Sequence, residues 1–346
     1  MKGGGFVVTI KQIAERAGVS TATVSNVIHG KSRHVSAETV KRIQKLIDEM
    51  GYVRDSGPRV LSRQGSTLVA TIIRYQNGFE NSVLADPFYG IVAGTIEEEL
   101  RRHDCYMMLY ASSDMDDIFK MLMTWDVDGV IAVSSSIEEC KKIRNLIRKP
   151  MVSIDAFGAD GVKPVVPDVG LEDEKGGFLM AEHLLKQGYE TIYVAGISNF
   201  GIDHRRWVGA RQAGELPVFR EGKKKLEFIE LGIERQTREE RYRQFVRQIP
   251  FKKKTAVFFT MDALAMEAIS FWAERGVQVP RDVGVAGFDN SINAINFSIP
   301  PLTTINQDMR MKGRIAVEEL VAAIRDPNYT PQNHMLPVSL VIRQSV

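Results

Sequence analysis

Apolar residues in the first fifty positions recur at helical spacing in three short blocks. Ile10, Ile13, Ala14 and Ala17 share one face of the first. Thr9 and Gln12 open it as a capping box, in which the hydroxyl takes an orphan backbone N–H and the amide reaches back. Gly18 stops it, because glycine adopts left-handed backbone angles without steric cost. Ser20 is a good N-cap for the second block, whose stripe is Val24, Val27 and Ile28. Small Ala14 allows a close crossing, and Val19 fills the corner. Ser36 caps the third block, which carries Val40, Ile43, Ile47 and Met50 and ends at Gly51. This spacing predicts a helix-turn-helix in a three-helix headpiece, with the second helix in the DNA major groove. The outward face of that helix holds Thr21, Ala22, Ser25, Asn26 and His29, all small or hydrogen-bonding and none acidic.

After Ser66 the pattern changes to short apolar runs of strand length alternating with helical stretches. Leu68 to Ile73, Tyr106 to Leu109, Gly129 to Val133 and Val152 to Ile154 read as strands, and a second set follows at Ile192 to Ala195, Phe228 to Leu231, Ala256 to Phe259 and Val283 to Ala286. Helical patterns separate them, among them Gly90 to Arg102, Glu174 to Lys186 and Ala263 to Glu274. Repeated strand–helix units argue for parallel sheets covered by helices. Two sets argue for an α/β effector domain of two doubly wound lobes, with a ligand cleft beyond the carboxyl ends of the strands. Met335 to Arg343 reads as one closing strand.

The expected domains are a headpiece at 1–53, a polar, basic hinge at 54–66, and an effector-binding domain at 67–346. Within the last, the first lobe takes about 67–167 and 293–325, and the second about 168–292 and 326–346. Charge sharpens the division. Residues 1 to 66 hold 11 Lys and Arg against 5 Asp and Glu, whereas the remainder is net acidic, which the overall +2 conceals. A basic end on an otherwise acidic chain is the footprint of phosphate contact. No apolar run is long enough to span a membrane, and no signal peptide precedes the motif, so a cytoplasmic location is expected. The two cysteines, Cys105 and Cys140, suit buried thiols, and no metal-ligand cluster or cofactor motif is evident.

Taken together, the segments Val8-Thr-Ile-Lys-Gln-Ile-Ala14, Ala17-Gly-Val-Ser-Thr-Ala-Thr-Val-Ser-Asn-Val-Ile28 and Gly51-Tyr52 resemble the lac-repressor (LacI/GalR) family of bacterial transcription regulators. The resemblance continues through Asp86-Pro-Phe-Tyr89, Val127-Asp-Gly-Val-Ile131, Glu182-His-Leu-Leu-Lys-Gln-Gly188, Arg206-Trp-Val-Gly209, Val279 to Asp289 and Pro300-Pro-Leu-Thr-Thr-Ile305. It implies a helix-turn-helix headpiece and hinge joined to a periplasmic-binding-protein-like domain, acting as a homodimer on palindromic operator DNA. The family reads bases with positions filled here by Thr21, Ala22 and Asn26. Ala22 offers a methyl contact, and Asn26 can pair bidentately with adenine. Thr9, Ser20, Thr23, Ser25 and His29 complete the expected DNA-facing set. The family's minor-groove wedge, a leucine two residues after an arginine, is similar to Leu61 after Arg59. Gly57-Pro58 stands where alanines are usual, which weakens a hinge helix.

For the effector the resemblance implies Arg206 and Asp289, a guanidinium fork and a carboxylate suited to a polyhydroxylated ligand. Asp86, Phe88, Tyr89, Trp207 and Asp262 join them as expected contacts with a sugar or sugar derivative. Met261 and Glu172-Asp173 depart from the family pattern and leave the ligand's identity open. With no leucine-heptad tail after the closing strand, a dimer is expected rather than a tetramer. Two other functions compete: a small-molecule receptor without DNA regulation, and an enzyme on a doubly wound fold. The basic headpiece argues against the first. The lack of a phosphate loop, a G-x-S-x-G elbow or any evident nucleophile argues against the second.

Overall fold

The computed structural model describes residues 9–28, 35–50, 67–75, 83–159, 161–220, 225–248 and 254–346. The hinge expected at 54–66 lies outside them. Helices α1 (Ile10–Ala17), α2 (Thr21–Ile28) and α3 (Ala37–Met50) form the headpiece. Thr9 and Gln12 close the capping box, and Gly18 ends α1 at φ 64°. Ile13, Ala14, Ala17, Val24, Val27 and Ile43 are buried together, with Val19 packed against them.

The rest of the chain builds two six-stranded sheets. The first has the order β11-β5-β4-β3-β1-β2, from β1 (Thr67–Arg74), β2 (Cys105–Ser112), β3 (Gly129–Val133), β4 (Met151–Ile154), β5 (Asp168–Leu171) and β11 (His334–Leu336). Helices α4 (Pro87–Arg102), α5 (Met115–Thr124) and α6 (Ile137–Ile147) belong to this lobe. The second sheet is β12-β10-β9-β8-β6-β7. Its strands are β6 (Thr191–Gly196), β7 (Lys225–Glu230), β8 (Thr255–Phe259), β9 (Gly284–Asp289), β10 (Thr303–Asn306) and β12 (Ser339–Val341). Here lie α7 (Asp173–Lys186), α8 (Gly201–Gly214), α9 (Pro217–Arg220), α10 (Arg235–Gln248), α11 (Asp262–Ala273) and α12 (Ile292–Asn296), while α13 (Met309–Arg325) returns to pack on the first lobe. Among the described residues, all pairings between these strands are parallel except β10 with β12.

Strand alternation explains the burial. Val69, Ile73, Ile131 and Val133 face one cluster with Val92, Ile96, Ala316 and Leu320 of α4 and α13. Ala70, Ile72, Val130 and Ala132 face the opposite cluster with Ile118, Met121, Cys140 and Ile143 of α5 and α6. Strands covered on both faces have no solvated side, so they read as continuous apolar runs.

The chain passes between lobes three times: after β5, after β10, and between β11 and β12. These crossings fall later than the sequence pattern placed them. β5 belongs to the first sheet, α12 and β10 to the second, and the tail is not one strand but two in different sheets, broken at Pro337. Proline cannot donate a ladder hydrogen bond, so strand pairing ends there and the chain changes sheets.

Helices α7 and α8 cross almost in contact. A Cβ on Gly177 would overlap the Arg206 carbonyl oxygen, and one on Gly209 would overlap that of Glu174. Gly209→Ala is therefore expected to lower stability by at least about 1–3 kcal/mol, the usual cost of overpacking. Urea unfolding checks this; an unchanged midpoint would show that the helices separate freely.

Candidate effector cleft and nucleic-acid interface

In the headpiece, Thr21, Ala22 and Asn26 are exposed on α2, with Thr23 and Ser25 half-buried. Two expected DNA contacts hold the fold as well. The Thr9 hydroxyl accepts from Gln12 N at 3.3 Å, and the Ser20 hydroxyl accepts from Thr23 N at 3.1 Å. Both are spent on helix starts, where the first N–H groups lack partners. His29, Arg59 and Leu61 lie outside the described residues.

In each sheet, strand order reverses beside its first strand, β1 or β6, and the chemistry gathers at the carboxyl ends there. On the first lobe, Asp86 caps α4 and accepts from Phe88 N at 2.8 Å. Phe88 and Tyr89 meet edge to face at 5.3 Å. Burial pushes the Tyr89 phenol up to about 12, against a hydrogen bond with Ser134. Beneath Phe88 lies Lys312 of α13, its Nζ 5.3 Å from the ring and 2.7 and 2.5 Å from the Asp155 oxygens. Both members of this ion pair are buried.

On the second lobe, the glycine crossing presses Arg206 of α8 against the start of α7. Its Nε donates to Asp173 Oδ1 at 2.9 Å, its Nη1 donates to the Thr260 carbonyl, and its guanidinium lies 3.5 Å over the Phe288 ring. Asp289 ends β9 with its carboxylate 4.0 Å from Arg206 Nη1. It accepts from Gln307 Nε2 at 2.5 Å, while Gln307 Oε1 is buried with no partner among the described residues. Burial holds the Asp289 carboxyl well above the usual carboxylate range, with Arg206 opposing and Asp262 and Asp86 reinforcing the rise. The two lobes face each other here: Phe157 meets Phe200 at 6.0 Å and Arg205 Nη2 donates to the Ala156 carbonyl at 3.2 Å.

The structure thus brings Asp86, Phe88 and Tyr89 to one wall and Arg206 and Asp289 to the other. It does not add Trp207 or Asp262. Trp207, one residue round the helix from Arg206, tilts against Phe228 at 6.1 Å and packs on the core. Asp262 is fully buried and spends both oxygens within its own lobe, accepting from Thr304 Oγ1 at 2.6 Å and Ser291 N at 2.7 Å. The sequence reading missed Asp155, Gln307 and Lys312, and it noted Asp173 only as a departure from the family pattern; their meaning comes through partners elsewhere in the chain. Lys312 carried one local signal, a lysine where the helical spacing of α13 calls for an apolar residue. Among the described residues no cluster is placed to hold a metal, and no helix is long and apolar enough to cross a membrane.

A headpiece built to present one helix to DNA, joined to two doubly wound lobes with facing polar walls, defines a ligand-binding transcription regulator. Residues 9–55 match the bacterial regulatory proteins of the lacI family, and residues 181–346 match the periplasmic binding protein-like domain. The chain is 30% identical over 349 residues to the HTH-type transcriptional repressor PurR of Actinobacillus pleuropneumoniae serotype 3 (strain JL03), covering 98% of each. Its fold is that of the transcriptional regulator CelR–cellobiose complex (TM-score 0.68, 23% identity, 98% of this chain and 100% of that one). It is also that of the lac repressor dimer bound to operator and the anti-inducer ONPF (TM-score 0.67, 22% identity, 98% and 99%). The chain belongs to the LacI family of helix-turn-helix transcription regulators and is not an enzyme.

Asp262 supplies a pH signature. Burial, first among its causes, pushes its carboxyl from 3.8 up to about 6. The native state then holds the proton more tightly than the unfolded chain, so stability is full below about pH 4 and falls as pH rises through about 6. Asp168, also raised to about 6 chiefly by burial, shares the window. Asp262→Asn is expected to reduce the slope of unfolding free energy across this range; an identical slope would assign the titration elsewhere.

Proposed function

We propose that this chain is an operator-binding repressor, acting as a homodimer, whose DNA affinity is set by a sugar or sugar derivative bound between the lobes. The observation that carries the effector part is the pairing of Arg206 with Asp289 opposite Asp86 and Tyr89. A fork of donors and a carboxylate acceptor suit vicinal hydroxyls, and Phe88 and Tyr89 offer ring faces to sugar C–H groups. The partnerless Gln307 Oε1 adds an acceptor beside Asp289. The cellobiose-bound relative supports a carbohydrate. On DNA, the exposed Thr21, Ala22 and Asn26 are the base readers, and Arg59 and Leu61 form the hinge contact in the minor groove, with half-sites about one helical turn apart. The operator-bound lac repressor dimer supports a palindromic site and a two-fold assembly.

Asn26→Ala is expected to cost about 1–3 kcal/mol of operator binding and to relax preference at one base position. Binding-site selection with wild type and variant checks it, and an unchanged preference at every position would remove Asn26 from the readout.

Arg206→Lys keeps the charge against Asp173 but loses the fork. The variant is expected to bind operator as the wild type does while ignoring effector. A panel of uncharged mono- and disaccharides, titrated with and without operator, provides the test. The compound that shifts operator affinity must itself bind with an affinity shifted equally by operator, a coupling of typically about 1–3 kcal/mol. A responsive variant would displace the site from Arg206, and an affinity indifferent to operator would refute allosteric control.

A further inference from the structure

Beside the effector walls, two loops from opposite lobes touch, and their contacts serve neither sheet. The first follows β4. Phe157 N donates to Ser135 O at 3.2 Å, and Ile137 N donates to Phe157 O at 2.8 Å, which fixes Phe157 against the start of α6. The second joins β6 to α8. Asp203 accepts from Ile197 N at 2.8 Å and Ser198 N at 3.3 Å, and His204 Nδ1 lies 2.8 Å from Asn199 Oδ1, so this loop is also tied down. Gly201 sits at its end with φ 62°.

Three contacts join the loops. The Phe157 and Phe200 rings meet edge to face at 6.0 Å. The Phe157 ring lies flush on Gly201, where a Cβ would come within 3.3 Å of it. Arg205 Nη2 donates to the Ala156 carbonyl at 3.2 Å. Arg205 immediately precedes Arg206, so consecutive residues of α8 address the opposite lobe and the effector site.

We propose that Phe157, Phe200, Gly201 and Arg205 form a clasp that sets how often the lobes close, independently of ligand. The proposal rests on the reading of the cleft as the effector site. Both halves are preorganised on their own lobes, so the contacts form or break as a unit when the lobes move. A ligand that needs the closed arrangement binds with an apparent affinity reduced by the fraction of molecules in it. The clasp therefore tunes effector sensitivity without touching the effector. Glycine is required at 201 both for its positive φ and for the room it leaves the ring.

The test reads the ligand-free, DNA-free full-length protein by pulsed electron–electron distance measurement. Labels go at Lys142→Cys on α6 and Gln212→Cys on α8, both exposed, in a Cys105→Ala, Cys140→Ala background. The expected result is one dominant short distance, with Phe157→Ala and Gly201→Ala each raising the proportion of a longer one by roughly two- to tenfold, the worth of an aromatic pair. Phe157→Tyr, which keeps the ring, is expected to restore the short distance. Thermal melts confirm that each variant is folded, and either substitution alone suffices if the other is not. Unchanged distributions in the folded variants, or a wild type already dominated by the longer distance, would overturn the clasp. Because no sugar is present, a wild type that responds to no carbohydrate would refute the effector reading while the distance result still decides the clasp.

Discussion

The close crossing of α7 and α8 is the constraint on which the second lobe depends. Two glycines, Gly177 and Gly209, let one helix backbone rest on the other, and no side chain could occupy either place. That contact sets the depth at which Arg206 emerges, between Asp173 and the Phe288 ring. Burying a guanidinium is costly unless its charge and its N–H groups are met. Asp173 and the Thr260 carbonyl meet them here. Asp289 remains a step farther off, at 4.0 Å, where it accepts from Gln307 Nε2. The site is built from a packing limit outward.

The walls divide the electrostatic labour. Each cation of the cleft has a carboxylate of its own, Arg206 with Asp173 and Lys312 with Asp155. Asp86 and Asp289 remain without a dedicated cation, and burial lifts both above the usual carboxylate range.

Legibility in the sequence followed the range of the interaction. The headpiece was readable almost residue by residue, because caps, the Gly18 stop and a 3.6-residue stripe are local. The alternation of strands and helices was readable for the same reason. The ownership of β5 and β10, and the split of the tail at Pro337, were not, because sheet membership depends on pairing between distant strands, such as Asn306 with Ser339 and Val169 with His334. In the site, Arg206 and Asp289 were singled out through their motifs, and the fold sets them 4.0 Å apart. Asp262 was misleading: a strand-end aspartate reads alike whether it faces a ligand or, as here, ties Thr304 and Ser291 together inside its lobe. Lys312 and Asp155, 157 residues apart, are a pair only once the fold exists.

The three crossings between lobes have a mechanical meaning. A single tether would let one lobe swivel, tilt and slide against the other. Three short ones, each running directly from a strand of one sheet into an element of the other lobe, remove most of those freedoms and leave a narrow range of bending. Thr303 N donates to Ser345 Oγ at 2.8 Å, which pins the last segment to the second sheet and takes slack out of the third tether. A molecule so constrained behaves less like two bodies on a string than like a leaf on its pins. Any rotation about such a fixed line displaces atoms in proportion to their distance from it.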